Sequence, residues 1–349
     1  MTSGSAASTL GLQAARLFFE RQLTKVEIAA RLGISRFRVA RLIDQALADG
    51  TVRIEFRDDP QQDLALGRAV EETFGLDLCV VAGRDGSATV DDVARLAGGV
   101  VDGLLSTGDA IGIAWGATVA RVVEAMPVRI DPSIDVVQLA GSSTSLDAAT
   151  DPGDLTRVLA ARLGGRAHRI HAPAFVDSAE LRAALARQPE VADTIARFDQ
   201  LAVVLVGIGA FAPATSRAAD RRSSSSLLRS GALSDADLAR LLELGAVGDL
   251  LVHPFDPEGR FVAPDIAARA VAIDVEALRR VPHVVAVAGG ADKVAAIRGA
   301  LATGVIDVLV TDAGVASRLV RPARGARPAR AAGATRGARM ARPRARRAR

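Results

Sequence analysis

Residues 24–48, TKVEIAARLGISRFRVARLIDQALA, admit few arrangements other than two short helices joined by a tight turn. Val26, Ile28, Ala29 and Leu32 supply an apolar stripe at helical spacing, and Gly33 then stops the helix where the chain must enter a left-handed conformation. Ile34 plugs the turn. Ser35 suits the N-cap of a second helix whose apolar face is Val39, Leu42, Ile43 and Ala46. Arg36, Phe37, Arg38 and Arg41 are left on the outer face near that helix's start, where a recognition helix meets bases and phosphates in the major groove. An ordinary helical hairpin with a solvated basic face is the bland alternative. Cap, turn glycine, core spacing and basic face agree on a helix-turn-helix that binds double-stranded DNA, with Ser35, Arg36, Phe37, Arg38 and Arg41 as contact residues.

That unit is complete by Arg57, and the 349-residue chain leaves enough sequence for a second domain with its own core. Three regions are expected: 1–57, the DNA-binding domain; 58–320, a second domain with its own core; and 321–349, a disordered tail. Charge divides along the same lines. Residues 1–57 carry nine basic and five acidic groups, residues 58–320 carry 24 basic and 35 acidic, and the tail carries eleven arginines and no acid. Positive potential is thus confined to the two ends, and an acidic body repels DNA except where the small domain docks. The tail, RPARGARPARAAGATRGARMARPRARRAR, has no apolar periodicity. Its composition fits a non-specific grip on nucleic acid, and equally a run read in a shifted frame of GC-rich DNA. Lysine occurs only at Lys25 and Lys293, so individual arginines carry less information than usual. Cys79, the single cysteine, excludes an internal disulfide and reads as a buried thiol. No signal peptide is evident and every long apolar run is interrupted, so a soluble cytoplasmic protein without membrane association is expected.

The middle of the chain alternates strand and helix. Apolar runs at 78–82, 110–114, 134–140, 201–209, 284–290 and 307–312 read as strands. Helical patterns cover Asp63–Phe74, Asp91–Leu105, Ala117–Ala125, Asp154–Leu163, Ser178–Arg187, Asp235–Leu244 and Ala291–Thr303. Strands apolar on both faces, each followed by an amphipathic helix, define an α/β fold with a mainly parallel sheet covered on both sides. Ligands of such sheets bind beyond the C-terminal strand ends.

Four clusters of small and polar residues gather there: Trp115-Gly116-Ala117-Thr118, Gly141-Ser142-Ser143-Thr144, Gly207-Ile208-Gly209, and Gly289-Gly290-Ala291-Asp292-Lys293. Glycine after a strand is usually plain turn chemistry. Four such turns in one sheet, two rich in hydroxyls and one holding a rare lysine, point to an anion-binding crevice in which helix N-termini cradle a phosphate.

The order helix-turn-helix, IGIAWGAT, HAPAF, VGIG, GDLLVHPFDPEG and VAGGADKVAAIRGAL…DVLVTDAGVASRLV resembles the SorC-type, or DeoR-like, sugar-binding transcriptional regulators. The resemblance runs from Ala14 to Val320. It implies a regulator of carbohydrate-metabolism genes whose large domain is Rossmann-like, similar to sugar-phosphate isomerases, binds a phosphorylated sugar and assembles into dimers or tetramers. By the same resemblance the effector site draws on Trp115, Gly116, Thr118, Gly141, Ser142, Gly207, Gly209, Asp249, Asp256, Gly289, Gly290 and Lys293. Two features depart from the family pattern: Ala114 stands where many members have serine, and the arginine-rich tail has no counterpart.

Carboxylates suit sugar hydroxyls, so Asp249 and Asp256 in the acidic loop either orient the ligand's carbon chain or serve as turn residues. His168, His171, His253 and His283 are scattered without metal-ligand spacing, so neither a metal nor a cofactor is expected. An isomerase- or deaminase-like enzyme carrying a DNA-binding appendage is the alternative. Its chemistry would require a general base in the crevice, and no paired acid and base demands that role.

Overall fold

Thr24 and Ser35 start the two helices of the 24–48 segment through their hydroxyls. In the computed structural model, which describes residues 3–52, 62–83, 88–143, 148–211, 225–231 and 233–321, helix α1 spans Ser3–Phe19, α2 Lys25–Leu32 and α3 Arg36–Ala48. Thr24 and Glu27 form a reciprocal capping box on α2, Gly33 ends it at φ 66°, and Ser35 Oγ accepts from the Arg38 amide at 3.2 Å. Ala14, Ile28, Val39 and Ile43 form the centre of this small core. The expected apolar stripe needs one correction. Val26 is 62% exposed, because it lies about 200° around the helix from Ile28 and so faces away from α3. Helix α1, which the 24–48 pattern did not foretell, supplies Ala14, Leu17 and Phe18 to the same core.

The chain divides into two compact units, Met1–Asp59 and Pro60–Arg349. The 57/58 boundary, Thr144 and the tail beyond Arg321 lie outside the described residues.

The second unit opens with α4 (Leu64–Phe74), β1 (Leu78–Ala82), α5 (Val90–Leu104), β2 (Ala110–Ile113), α6 (Ala117–Ala125) and β3 (Asp135–Gln138). It continues through α7 (Pro152–Leu163), β4 (Arg166–His168), α8 (Ala179–Ala186), α9 (Pro189–Ile195), β5 (Leu201–Ala210), α10 (Ser226–Arg229) and α11 (Asp235–Glu243). A hairpin of β6 (Gly248–Leu250) and β7 (His253–Phe255) follows, then α12 (Pro264–Ala268), α13 (Val275–Arg280), β8 (His283–Val287), α14 (Val294–Ala302), β9 (Val308–Asp312) and α15 (Ala313–Leu319).

Seven strands run parallel in the order β1-β9-β8-β5-β2-β3-β4, while β6 pairs antiparallel with the end of β5 and with β7. All six strands expected from the sequence are present. Alternate residues feed two cores. Ile111, Ile113, Val136, Val203, Leu205, Val285 and Val310 face α5, α6 and α7, whereas Val81, Val137, Val204, Val206, Val284 and Leu309 face the layer containing α14 and α15. Both faces are covered, which explains the unbroken β-branched runs. Cys79 is buried on β1, and burial pushes its thiol up to about 12. From β2 the chain steps outward to β3 and β4, then returns to β5 on the other side and steps the opposite way to β8 and β9. The direction reverses between β2 and β5, and there the sheet opens a crevice.

Candidate functional site

The ends of β2 and β5 border an open cleft of about 150 Å³. On the β2 side, Gly116 turns the chain at φ 116°, ψ 157°, donates its amide to Thr150 O at 3.1 Å, and starts α6 without a side-chain cap. The first-turn amides of a helix have no acceptor within it, so the uncapped start of α6, with the Thr118 hydroxyl beside it, presents donors and a positive dipole end to the cleft. Trp115, 4% exposed, packs among Ala140, Leu227, Val252 and Ala272 and holds α10 close to the turn.

The two glycines of β5 differ in kind. A Cβ on Gly209 would fall 2.1 Å from Asp249 Oδ1, since Gly209 and Asp249 are direct antiparallel partners and the carboxylate folds across the strand. A Cβ on Gly207 would meet nothing nearer than Val119 Cγ2 at 3.7 Å. Gly209 is therefore required by packing, whereas Gly207 keeps space open in the cleft.

Asp249 is 2% exposed and accepts the Ser225 hydroxyl at 2.5 Å. Burial pushes its carboxyl up to about 7, with Ser225 and the nearby Lys293 ammonium pulling the other way. Lys293, half-buried, donates to Ile208 O at 3.2 Å. Burial lowers its pKa from the ordinary lysine value, Asp292 and Asp249 oppose that shift, and Arg229 adds to it. Ser226 and Arg229 reach the cleft from α10. Two cations, Lys293 and Arg229, thus line the same cleft as one uncapped helix start, together with the buried Asp249 carboxyl.

Of the residues expected in the site, Trp115, Gly116, Thr118, Gly207, Gly209, Asp249 and Lys293 line this cleft together. Gly141, Ser142, Asp256, Gly289 and Gly290 are not among its lining residues, and each has a structural occupation. A Cβ on Gly141 would lie 2.5 Å from Pro173 O, and Ser142 Oγ donates to Asp151, the N-cap of α7, at 3.0 Å. The Gly290 amide donates to Asp312 Oδ2 at 2.8 Å, and a Cβ on Gly289 would lie 2.8 Å from the same oxygen. Asp256 shapes the turn after β7, accepting from the Glu258 and Arg260 amides and pairing with the Arg260 guanidinium at 2.6 Å. Desolvation works to raise its carboxyl, but the Arg260 backbone and side chain outweigh it and hold the pKa low. These contacts are those of a turn residue. Asp249 lies on strand β6 rather than in a loop, because GDL and HPF pair as a hairpin.

Ser226 and Arg229 escaped the sequence reading. The signals used there were strand ends, and α10 enters the cleft from the connection between β5 and β6.

In the first unit, Arg36, Phe37, Arg38 and Arg41 are all exposed on α3, with the Arg36 guanidinium 4.8 Å from the centre of the Phe37 ring. Ser35 is the N-cap already described. Among the described residues no cluster of His, Cys, Asp and Glu could hold a metal ion.

A doubly wound α/β unit with a cleft at its switch point, preceded by a basic three-helix unit, is the architecture of a ligand-responsive regulator. Residues 58–321 match the family model described as "Putative sugar-binding domain", and the chain belongs to that family of transcriptional regulators. It is 30% identical over 312 residues to the sorbitol operon regulator of Klebsiella pneumoniae, covering 88% of this chain and 96% of that protein. It is also 30% identical over 324 residues to the erythritol catabolism regulatory protein EryD of Brucella abortus (strain 2308), covering 92% and 99%. The crystal structure of full-length SorC from Klebsiella pneumoniae superposes with a TM-score of 0.67 at 28% identity, covering 90% of this chain and 99% of that one. These relatives are regulators rather than enzymes, which sets aside the isomerase alternative.

Proposed function

We propose that this regulator binds a DNA operator of carbohydrate-metabolism genes through α2 and α3 acting as a helix-turn-helix, and that a phosphorylated sugar in the β2/β5 cleft controls it. The observation that carries the effector reading is the uncapped start of α6 in a cleft that Lys293 and Arg229 also line. A phosphate there accepts backbone amides and meets two positive charges. Asp249, buried at the strand ends, orients sugar hydroxyls. The protein acts in the cytoplasm as a homo-oligomer, a dimer or tetramer, whose paired α3 helices meet a palindrome with half-sites about one or more helical turns apart. No described helix is long and apolar enough to cross a membrane. The effector switches DNA binding by favouring one arrangement of the oligomer over the other.

A thermal-shift series of pentose, hexose and polyol phosphates beside their unphosphorylated parents tests this reading. A phosphorylated member at a hundred times its Kd should stabilise the fold by about 2.7 kcal/mol, with the free sugar far weaker. An equal response to both forms would remove the phosphate from the site.

A further inference from the structure

Phe37 is the most exposed aromatic among the described residues, at 72%, in a chain whose other described aromatic rings are buried, half-buried or, for Phe19, 38% exposed. Its position on α3 is specific. At about 100° per residue, Phe37 lies nearly opposite the buried face of Val39, Ile43 and Ala46, with Arg41 four residues on at nearly the same angle. Arg36 and Arg38 fall on either side of that line. The first turn of α3 contains no acid, in contrast to Glu27 on α2, so the positive end of its dipole meets no acidic side chain on its own helix. One face of the Phe37 ring lies against the Arg36 guanidinium, leaving the other face and the edge open. An apolar ring centred between flanking arginines matches the section of a major groove, with phosphates at the sides and base edges in the middle.

We propose that Phe37 is a base-reading residue of α3, its ring meeting the C5-methyl group of a thymine in each operator half-site. The methyl is the only apolar group that a base edge offers in the major groove, so a ring with no hydrogen-bonding atom discriminates through it. Arg36 positions the ring and contacts phosphate. The proposal rests on the DNA-binding reading given above.

The test uses the full chain and an operator selected by it from a random duplex pool. Each thymine of the half-site is then replaced singly by deoxyuridine, which removes only the methyl. One replacement per half-site should weaken binding about four-fold, the value of one buried methyl-sized group. Phe37→Ala should bind the thymine operator about four-fold more weakly per half-site, about sixteen-fold on two half-sites, keep an unchanged melting temperature, and no longer distinguish thymine from deoxyuridine at that position. A half-site without thymine, deoxyuridine tolerated everywhere by the wild-type protein, or a Phe37→Ala protein that keeps its deoxyuridine sensitivity would each overturn the role of Phe37. Selection yielding no preferred sequence would instead overturn the DNA-binding reading beneath it. The deoxyuridine series on the wild-type protein shows whether a thymine methyl is read, and the same series on Phe37→Ala shows whether Phe37 reads it.

Discussion

Two pairs of strand ends in one sheet carry nearly the same residues and do different things. After β3 and β8, as after β2, the chain offers glycines together with hydroxyls or a lysine, and the end of β5 offers glycines. In the first pair the hydroxyl and backbone groups meet partners of their own chain, Ser142 with Asp151 and the Gly290 amide with Asp312, while Lys293 alone reaches the cleft from beyond β8. In the second pair the start of α6 has no cap, and Gly207 faces space. A strand-end glycine thus marks a ligand site only where the protein leaves its donors unanswered, and the side chain that answers often comes from a distant element.

The widest expected difference is in pH response. The folded-state pKa of Asp249, about 7, exceeds its unfolded value near 3.9, so the folded protein binds the extra proton between those limits. Its contribution should make stability fall as pH rises from about 4 to 7 and level off above, a span of about 4 kcal/mol at most. Asp249→Asn should flatten that part of the curve in denaturant titrations at several pH values. An unchanged curve would mean the carboxyl is solvated.

Next comes a contrast of two glycines. Gly141→Ala must push a methyl into the Ala172–Pro173 backbone and should cost about 3 kcal/mol, seen as a lower urea midpoint. Gly207→Ala should leave that midpoint within about 0.5 kcal/mol while weakening the phosphosugar, because its methyl occupies the cleft. If the two variants behave alike, the contrast between strand ends fails.

Lys293→Ala should lower affinity for the phosphorylated effector roughly ten- to a hundred-fold, the range for a hydrogen bond to a charged group. Asp312→Ala, which uncaps α15 and frees the Gly290 amide, should cost stability of about 1 kcal/mol and leave affinity nearly unchanged. Titration calorimetry of both variants separates the two effects.

What the sequence revealed follows from what its signals measure. The six long strands were legible because β-branched runs buried on both faces have no other home. β4, β6 and β7 are three residues each, too short for any period to register, and β4 is the polar triplet Arg166-Ala167-His168. Helices α9, α12 and α13 are likewise only five to seven residues long. Within the cleft, Gly116, Thr118 and Lys293 were legible as strand-end chemistry. Asp249 and Asp256 were indistinguishable as acids in one segment, and only the register that sets Asp249 opposite Gly209 separates them. Arg229 gave no local signal, being one arginine among many in an arginine-rich chain.

The sheet places β1 beside β9, pairing Leu78 with Val308 across 230 residues of chain. During synthesis at about 5–20 residues per second, β1 therefore waits on the order of 10–50 s for β9, its one strand neighbour among the described residues. The pairings inside α1–α3 close within the first fifty residues and are finished long before. A ribosome that stops short of β9 thus releases a chain whose first unit is folded while α4 already lies against Cys79 and Val81 but the hydrogen-bonding edge of β1 stays unpaired. Until β9, the last of the described strands, is made, that edge stays open to pairing with another chain.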